Sequence, residues 1–136
     1  AAKLASAVST LDALEYLFEI YRKQLQRSDF RAGCPVVAVA VEAGDPARPE
    51  QAKPVIDRAA AAFARWREEI DQRLQIDGVP AQRAGALAML ILSSFEGAIV
   101  IARAARDLEP LDTVHAQLRS LISAEVRPSA GKRTSR

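Results

Sequence analysis

The sequence contains few of the residues from which catalytic and metal sites are built. Its 136 residues include one cysteine and one histidine. These counts exclude an internal disulfide and a cysteine-built zinc site, and they argue against a Cys–His or Ser–His nucleophile. A P-loop, a GxGxxG turn, a GxSxG elbow, an HExxH pair and an EF-hand loop are also missing from the sequence. We therefore expect no metal, no cofactor and no enzymatic activity.

Aromatic residues are scarce too, at 5% of the chain, whereas alanine is abundant. This composition favours helices over a β-sandwich, which would need more β-branched and aromatic residues. The apolar share of 49% and the charged share of 26% are ordinary for a globular protein, and the length allows one domain. The first residues lack the pattern of a secretory signal, and we expect a cytoplasmic protein.

No strong excess of either charge is present in the body of the chain. Four of the 19 basic residues and none of the 17 acidic residues lie in the last ten positions, so residues 1–126 carry a net charge of −2. A folded domain that grips DNA phosphates usually carries a basic patch, and none is evident here. We expect residues 1–126 to form the folded domain and 127–136 to be a disordered basic tail.

Apolar residues at helical spacing predict a bundle of about five helices. A capping box at residues 9–12 begins a helix over 10–27, and residues 1–7 could end an earlier one. Residues 34–43 are ambiguous, because their valines alternate as in a strand. Since no second strand pattern is present to pair with them, a short helix closed by a turn at 44–46 is the better interpretation.

The third predicted helix covers residues 50–76 and is amphipathic. Pro54 is tolerated only near the helix start, and Gly78 suits a left-handed cap after its end. The opposite face is charged and should be solvated. The apolar face consists of Ile56, Ala59, Phe63, Trp66, Ile70 and Leu74.

The fourth predicted helix, 80–107, is apolar around nearly its full circumference between residues 84 and 102, and a fifth helix follows over 111–125. The run is long enough for a membrane span. We reject a span because glycine, alanine and serine supply much of the run and Glu96 lies inside it. A protein of one domain has few helices to cover such a surface, so we expect a second copy of the chain to cover part of it.

Three titratable residues are candidates for chemistry, and each has an ordinary structural interpretation. His115 is expected to be a surface or interface histidine, and Cys34 a small core residue. Glu96 could be a buried functional carboxylate, or it could bond a polar neighbour. An enzyme that uses Glu96 or Glu42 is the least favoured hypothesis.

Three stretches resemble a known family in their order and spacing. They are residues 28–36 (SDFRAGCPV), 62–67 (AFARWR) and 96–104 (EGAIVIARA). Together they are similar to the C-terminal domain of TetR-family transcriptional repressors of the LmrA/YxaF-like subgroup, over residues 10–124. The resemblance implies an all-helical regulatory domain that dimerises through its last two long helices, preceded by a helix-turn-helix domain of about fifty residues. Residues 1–10 leave no room for that domain, so binding of operator DNA is implied for the parent protein only.

The resemblance also implies an effector that enters a cavity among the helices and relieves DNA binding, and the effector is expected to be apolar or aromatic. The alternative is a structural dimerisation module with a filled core and no ligand. The family supplies no invariant ligand residues, so the pocket residues are predicted from the helical pattern. The pocket candidates are Phe18, Tyr21, Cys34, Val37, Phe63, Trp66, Met89 and Phe95. The expected dimer-interface residues are Leu87, Ile91, Ser94, Gly97, Ala98, Ile101, Val114, Leu118 and Leu121.

Overall fold

The computed structural model describes residues 9–42 and 49–126, and the chain is helical throughout these ranges apart from short connections. The helices are α1 (Thr10–Arg27), α2 (Pro35–Glu42), α3 (Pro49–Ile76), α4 (Ala81–Ala105) and α5 (Glu109–Glu125). The predicted all-α bundle of five helices is confirmed, and the ambiguous valine segment is a helix. The predictions for residues 1–7, the turn at 44–46 and the tail 127–136 fall outside the described residues.

The capping residues of α1 act much as the sequence predicts. The Ser9 hydroxyl accepts a hydrogen bond from the Asp12 N–H at 3.1 Å, which satisfies one of the free donors at the helix start. The Asp12 carboxylate reaches back to the Ser9 hydroxyl at 2.7 Å, where a standard capping box would use the backbone N–H of the cap. At the other end of α1, Asp29 and Phe30 adopt left-handed backbone angles, which turn the chain towards α2.

Helix α3 ends at a glycine turn that is also tied to α1. Gly78 has a φ of 95°, and the Val79 N–H donates to the Leu74 carbonyl, as in a Schellman cap. The Asp77 carboxylate accepts a hydrogen bond from the Thr10 N–H at 2.5 Å. Near its start α3 continues through Pro54, whose missing N–H leaves only the carbonyl of Glu50 without its helical partner.

Helix α4 is the centre of the bundle and contacts α3, α5 and α1. Ten of its residues are buried, and they pack against apolar side chains of α1 and α5. Burial of each large aliphatic or aromatic side chain contributes about 1.5–3 kcal/mol to folding. The largest fully buried side chains are Phe18, Leu25, Leu74, Leu87, Ile99, Leu111 and Ile122.

The opposite side of α4 is not covered by the chain. Leu90, Val100 and Ile101 are 44–56% exposed, and we call these three residues the outer face of α4. By length and composition alone α4 could cross a membrane. The core helix of a soluble protein passes the same test, and ten residues of α4 are buried within the bundle. The helix is apolar all round, as predicted, but its own chain covers one side only.

The apolar face of α3 is covered unevenly. Leu74 and Ala59 are buried, whereas Ile56 is 41% exposed. The predicted apolar face is therefore only partly covered. Leu74 near the end of α3 belongs to the core cluster, and α3 also contacts α2.

Candidate ligand cleft and apolar face

An open cleft with a volume of about 510 Å³ lies between α3 and α4. Its size is within the range of small-molecule sites, and its walls are mostly apolar, as is usual for such sites. Two turns of each helix form it, with residues three or four apart on facing sides. The residues of this α3–α4 cleft are Ala60, Phe63, Ala64 and Arg67 from α3, and Met89, Leu92, Ser93 and Glu96 from α4.

Glu96 is the one acidic residue that lines the cleft. Its side chain belongs to the buried set, at 9% exposure, and its Oε2 is buried without a hydrogen-bond partner. Burial raises the pKa of the carboxyl group, and a hydrogen bond from the Cys34 thiol opposes the rise. Glu96 therefore places a carboxyl group, with one oxygen that accepts no hydrogen bond, in the wall of a mostly apolar cleft.

Cys34 reaches Glu96 from the start of α2. Its sulfur also accepts hydrogen bonds from the backbone N–H groups of Val36 and Val37, which is the role of a helix-capping atom. Burial, more than any other cause, raises the pKa of the thiol. The thiol is therefore protonated at neutral pH and serves as a hydrogen-bond donor, which does not favour a reactive cysteine.

Tyr21 completes this small polar group beneath the cleft. Burial, followed by the negative charges of Cys34 and Glu96, raises the pKa of Tyr21 to about 12. The ring of Tyr21 meets Phe95 edge to face with centroids 5.0 Å apart, and Phe18 meets Phe95 in the same way at 5.0 Å. Phe18 and Phe95 are buried in the core, and the half-buried Tyr21 packs against them.

The eight predicted pocket residues therefore occupy different places. Phe63 and Met89 line the cleft, and Trp66 packs edge to face on Phe63 at 5.6 Å. Val37 is half-buried on α2. Phe18, Tyr21 and Phe95 pack together in the core, and Cys34 contacts Glu96. A ligand contact at any of the eight stays a prediction.

The pocket prediction omitted six residues that line the cleft. Helical spacing could have found them, because on each helix they continue the rows that contain Phe63 and Met89. Glu96 was singled out in the sequence as a candidate carboxylate but was not placed in the pocket. The six are Ala60, Ala64, Arg67, Leu92, Ser93 and Glu96.

The nine predicted interface residues also separate by exposure. Leu87, Ile91, Ala98 and Leu118 are buried in the chain's own core, so a second copy could not contact their side chains directly. Ile101 is 56% exposed on the outer face of α4. The remaining four, Ser94, Gly97, Val114 and Leu121, are half-buried.

Gly97 lies on the same side of α4 as the outer face. An added Cβ at this glycine would meet no atom within 4 Å. The space beside it is therefore open within the chain, and a neighbouring helix could approach the backbone closely there. Leu90 and Val100, which the interface prediction omitted, extend the exposed apolar surface on both sides of Gly97.

His115 lies in a second, polar depression of about 490 Å³ between α1 and α5. Its ring stacks on Phe18 with centroids 4.6 Å apart, and its Nε2 lies 3.3 Å from the Glu15 carboxylate. Nearby, Arg22 donates to Asp112 at 2.8 Å. These contacts join α1 to α5 and give the histidine a structural role. No group of three or more potential metal ligands occurs within 9–42 and 49–126.

Comparison with known proteins agrees with the helical architecture and the resemblance in the sequence. Residues 10–117 match the family described as transcriptional regulator LmrA/YxaF-like, C-terminal domain. The chain belongs to this family. Two relatives from Mycobacterium tuberculosis, in the strains CDC 1551 and H37Rv, are described as an uncharacterised HTH-type transcriptional regulator.

Both relatives are 52% identical to this regulator domain over 126 residues. The match covers 93% of the chain and 65% of each relative, so the chain spans slightly less than two thirds of their length. No solved structure matches the chain.

Proposed function

We propose that this domain binds an apolar or aromatic effector in the α3–α4 cleft and thereby controls the binding of operator DNA by a helix-turn-helix domain of the whole regulator. The observation that carries the proposal is the cleft itself, which combines apolar walls, a volume suited to a small molecule and one buried carboxylate. Such a regulator would act in the cytoplasm, where it reaches both DNA and a diffusible effector.

The proposal includes a homodimer formed by α4 and α5 of two copies. The outer face of α4 supports it, because a surface of three half-exposed large apolar residues beside an open glycine is suited to burial against a second helix. A two-fold arrangement would pair this surface with itself, as isologous dimers do. Two DNA-binding domains held by such a dimer could contact two half-sites of an operator.

An effector can act only through a difference in its affinity for two shapes of the protein. The walls of the cleft belong to two different helices, so an effector in it favours one spacing of α3 against α4. Helix α3 ends beside Asp77, which holds the first N–H of α1. A shift of α3 would thus be passed to the start of α1 through a hydrogen bond and not through a loose loop.

A second function is a dimerisation module without a ligand. Packing of Phe18, Tyr21 and Phe95 favours it, since these three predicted pocket residues contact one another and two of them, Phe18 and Phe95, are buried in the core. The two functions differ in whether the α3–α4 cleft takes up a small molecule.

Fluorescence of Trp66, the single tryptophan of the chain, tests the effector site. Trp66 contacts Phe63 on the cleft wall, so an apolar ligand should change its emission with a saturable dose response. Ala64→Phe should fill the cleft and abolish the response. The matched control is Ala61→Phe, on an exposed position of the same helix that does not line the cleft. No response to a broad panel of bicyclic apolar compounds would exclude the effector site.

A further inference from the structure

We propose that the α3–α4 cleft selects apolar ligands that carry a hydrogen-bond donor, which binds the carboxylate of Glu96. This inference rests on the proposed effector site and names the chemical class of its ligand. The class is an apolar, bicyclic-sized molecule with one hydroxyl or ammonium group. The selectivity comes from one acidic residue in a wall that is otherwise mostly apolar.

The first step is the hydrogen-bonding inventory of Glu96. An ionised carboxylate accepts hydrogen bonds at both oxygens and donates none. The Cys34 thiol supplies one donor, and Oε2 has no partner. A buried oxygen that accepts nothing is unfavourable, because its hydration is lost without replacement. A ligand donor would supply the bond that the chain leaves unmade.

The second step is access. Glu96 lines the cleft together with Met89 and Leu92 of α4 and Phe63 of α3. The terminal torsion of a glutamate is broad and roughly two-fold, so rotation exchanges the two oxygens without moving the rest of the side chain. Either oxygen can then accept a hydrogen bond from the ligand while the other accepts one from the Cys34 thiol.

The third step is the fate of the ligand's other atoms. The alanines and Phe63 on α3, with Met89 and Leu92 on α4, offer no strong hydrogen-bonding groups. A ligand with several polar groups would lose their hydration without gaining partners. Arg67 and Ser93, the other two polar residues of the lining, are exposed and can keep their own hydration, and the Ser93 hydroxyl donates to the Met89 carbonyl. One donor on an apolar skeleton is therefore the composition that fits.

Matched naphthalene probes test the inference by isothermal titration calorimetry on the whole chain. 2-Naphthol and 2-(aminomethyl)naphthalene carry a donor, whereas 2-methoxynaphthalene and 2-acetylnaphthalene carry only an acceptor. We expect at least one donor probe to bind about tenfold or more tightly than both acceptor probes, as a hydrogen bond to a charged group would produce.

Variants of Glu96 identify the source of the preference. Glu96→Leu should remove this preference while retaining weak binding of all four probes, because the cleft then lacks its carboxylate but keeps its apolar walls. Glu96→Gln keeps a carbonyl acceptor, so it should preserve part of the 2-naphthol preference and abolish that of the ammonium probe. Circular dichroism confirms that both variants are folded, and Glu42→Gln on the exposed end of α2 is the control.

The outcomes separate this inference from the proposed function. Equal affinity for all four probes, a preference for the acceptor probes, or a donor preference that survives Glu96→Leu would overturn the inference and leave the effector site intact. Absence of binding by all four probes to the wild-type chain and to Glu96→Leu would overturn the effector site together with the inference.

Discussion

The Asp77 carboxylate holds the N–H of Thr10 across 67 positions of sequence. The bond joins the turn after α3 to the first residue of α1. Because the carboxylate is charged and sits at a helix N-terminus, the bond is stronger than one between neutral groups.

Asp77→Ala is expected to lower the free energy of unfolding by about 1–2 kcal/mol, because the first N–H of α1 loses its partner. Asp77→Asn keeps an acceptor and should recover part of the loss. Urea denaturation followed by circular dichroism measures the difference. The control is Asp57→Ala, which removes an exposed pair with Lys53 and should change stability by less than about 0.5 kcal/mol. Equal effects of the two alanine variants would contradict the role of Asp77.

The outer face of α4 supports a second prediction, on the oligomeric state. Ile101→Asp should dissociate the proposed dimer and leave the fold of the monomer intact, since this side chain is 56% exposed within the chain. Sedimentation velocity at micromolar concentration, with circular dichroism on the same samples, separates the two effects. A wild-type domain that sediments as a monomer would rule out the dimer.

Ile99, two residues before Ile101 on α4, is the matched control for the Ile101→Asp variant. It is 1% exposed and lies in the chain's own core. Ile99→Asp should unfold the domain, because a charge would be buried without a partner. If Ile99→Asp and Ile101→Asp had the same effect on the circular dichroism spectrum, the division of α4 into a core side and an outer face would be wrong.

The sequence could not predict which side of α4 faces the core and which side is exposed. The amphipathic α3 could be oriented from its pattern, so Phe63 was correctly expected to be apart from the charged face. Helix α4 has no such pattern, because Leu87 and Ile91 in the core and Leu90 and Ile101 on the surface are chemically alike. Only the packing of α1, α3 and α5 fixes its rotation, and those are long-range contacts.

The positions of the helices could be predicted well, because they depend on local signals and not on long-range contacts. The Ser9 cap, the left-handed Gly78 and the limits of α1 depend on residues within one or two turns of each other. The pairing of Glu96 with Cys34 spans 62 positions and has no local signal. The sequence could therefore identify Glu96 as unusual within its apolar helix but could not identify its partner or the cleft.

The raised pKa of Glu96 yields a prediction on pH and stability. The pKa of this carboxyl group is higher in the folded state than in the unfolded state. Between the two pKa values the group is ionised in the unfolded chain but still protonated in the folded one, so the free energy of unfolding falls as the pH rises. Stability should therefore fall as the pH rises from about 4.5, the ordinary value, through the raised pKa of the folded protein. The loss is complete above that pKa and is absent in acid.

The groups around Glu96 define the controls for this measurement. Cys34 and Tyr21 face it from the start of α2 and from α1, and both keep their protons over this range because burial raises the pKa of each. Arg67 lines the same cleft from α3. Exposed ion pairs lower the pKa of Glu19 and Glu125 and act in the opposite direction.

The informative quantity is thus the difference in unfolding free energy between the wild type and Glu96→Gln, measured in urea from pH 4 to pH 8. The contributions of Glu19 and Glu125 are common to both proteins and cancel. The glutamine variant should become progressively more stable relative to the wild type as the pH rises, because it has no carboxyl group to ionise in the buried site. A difference that is constant with pH, or one that grows towards acid, would show that Glu96 is not held in a desolvated position at the cleft.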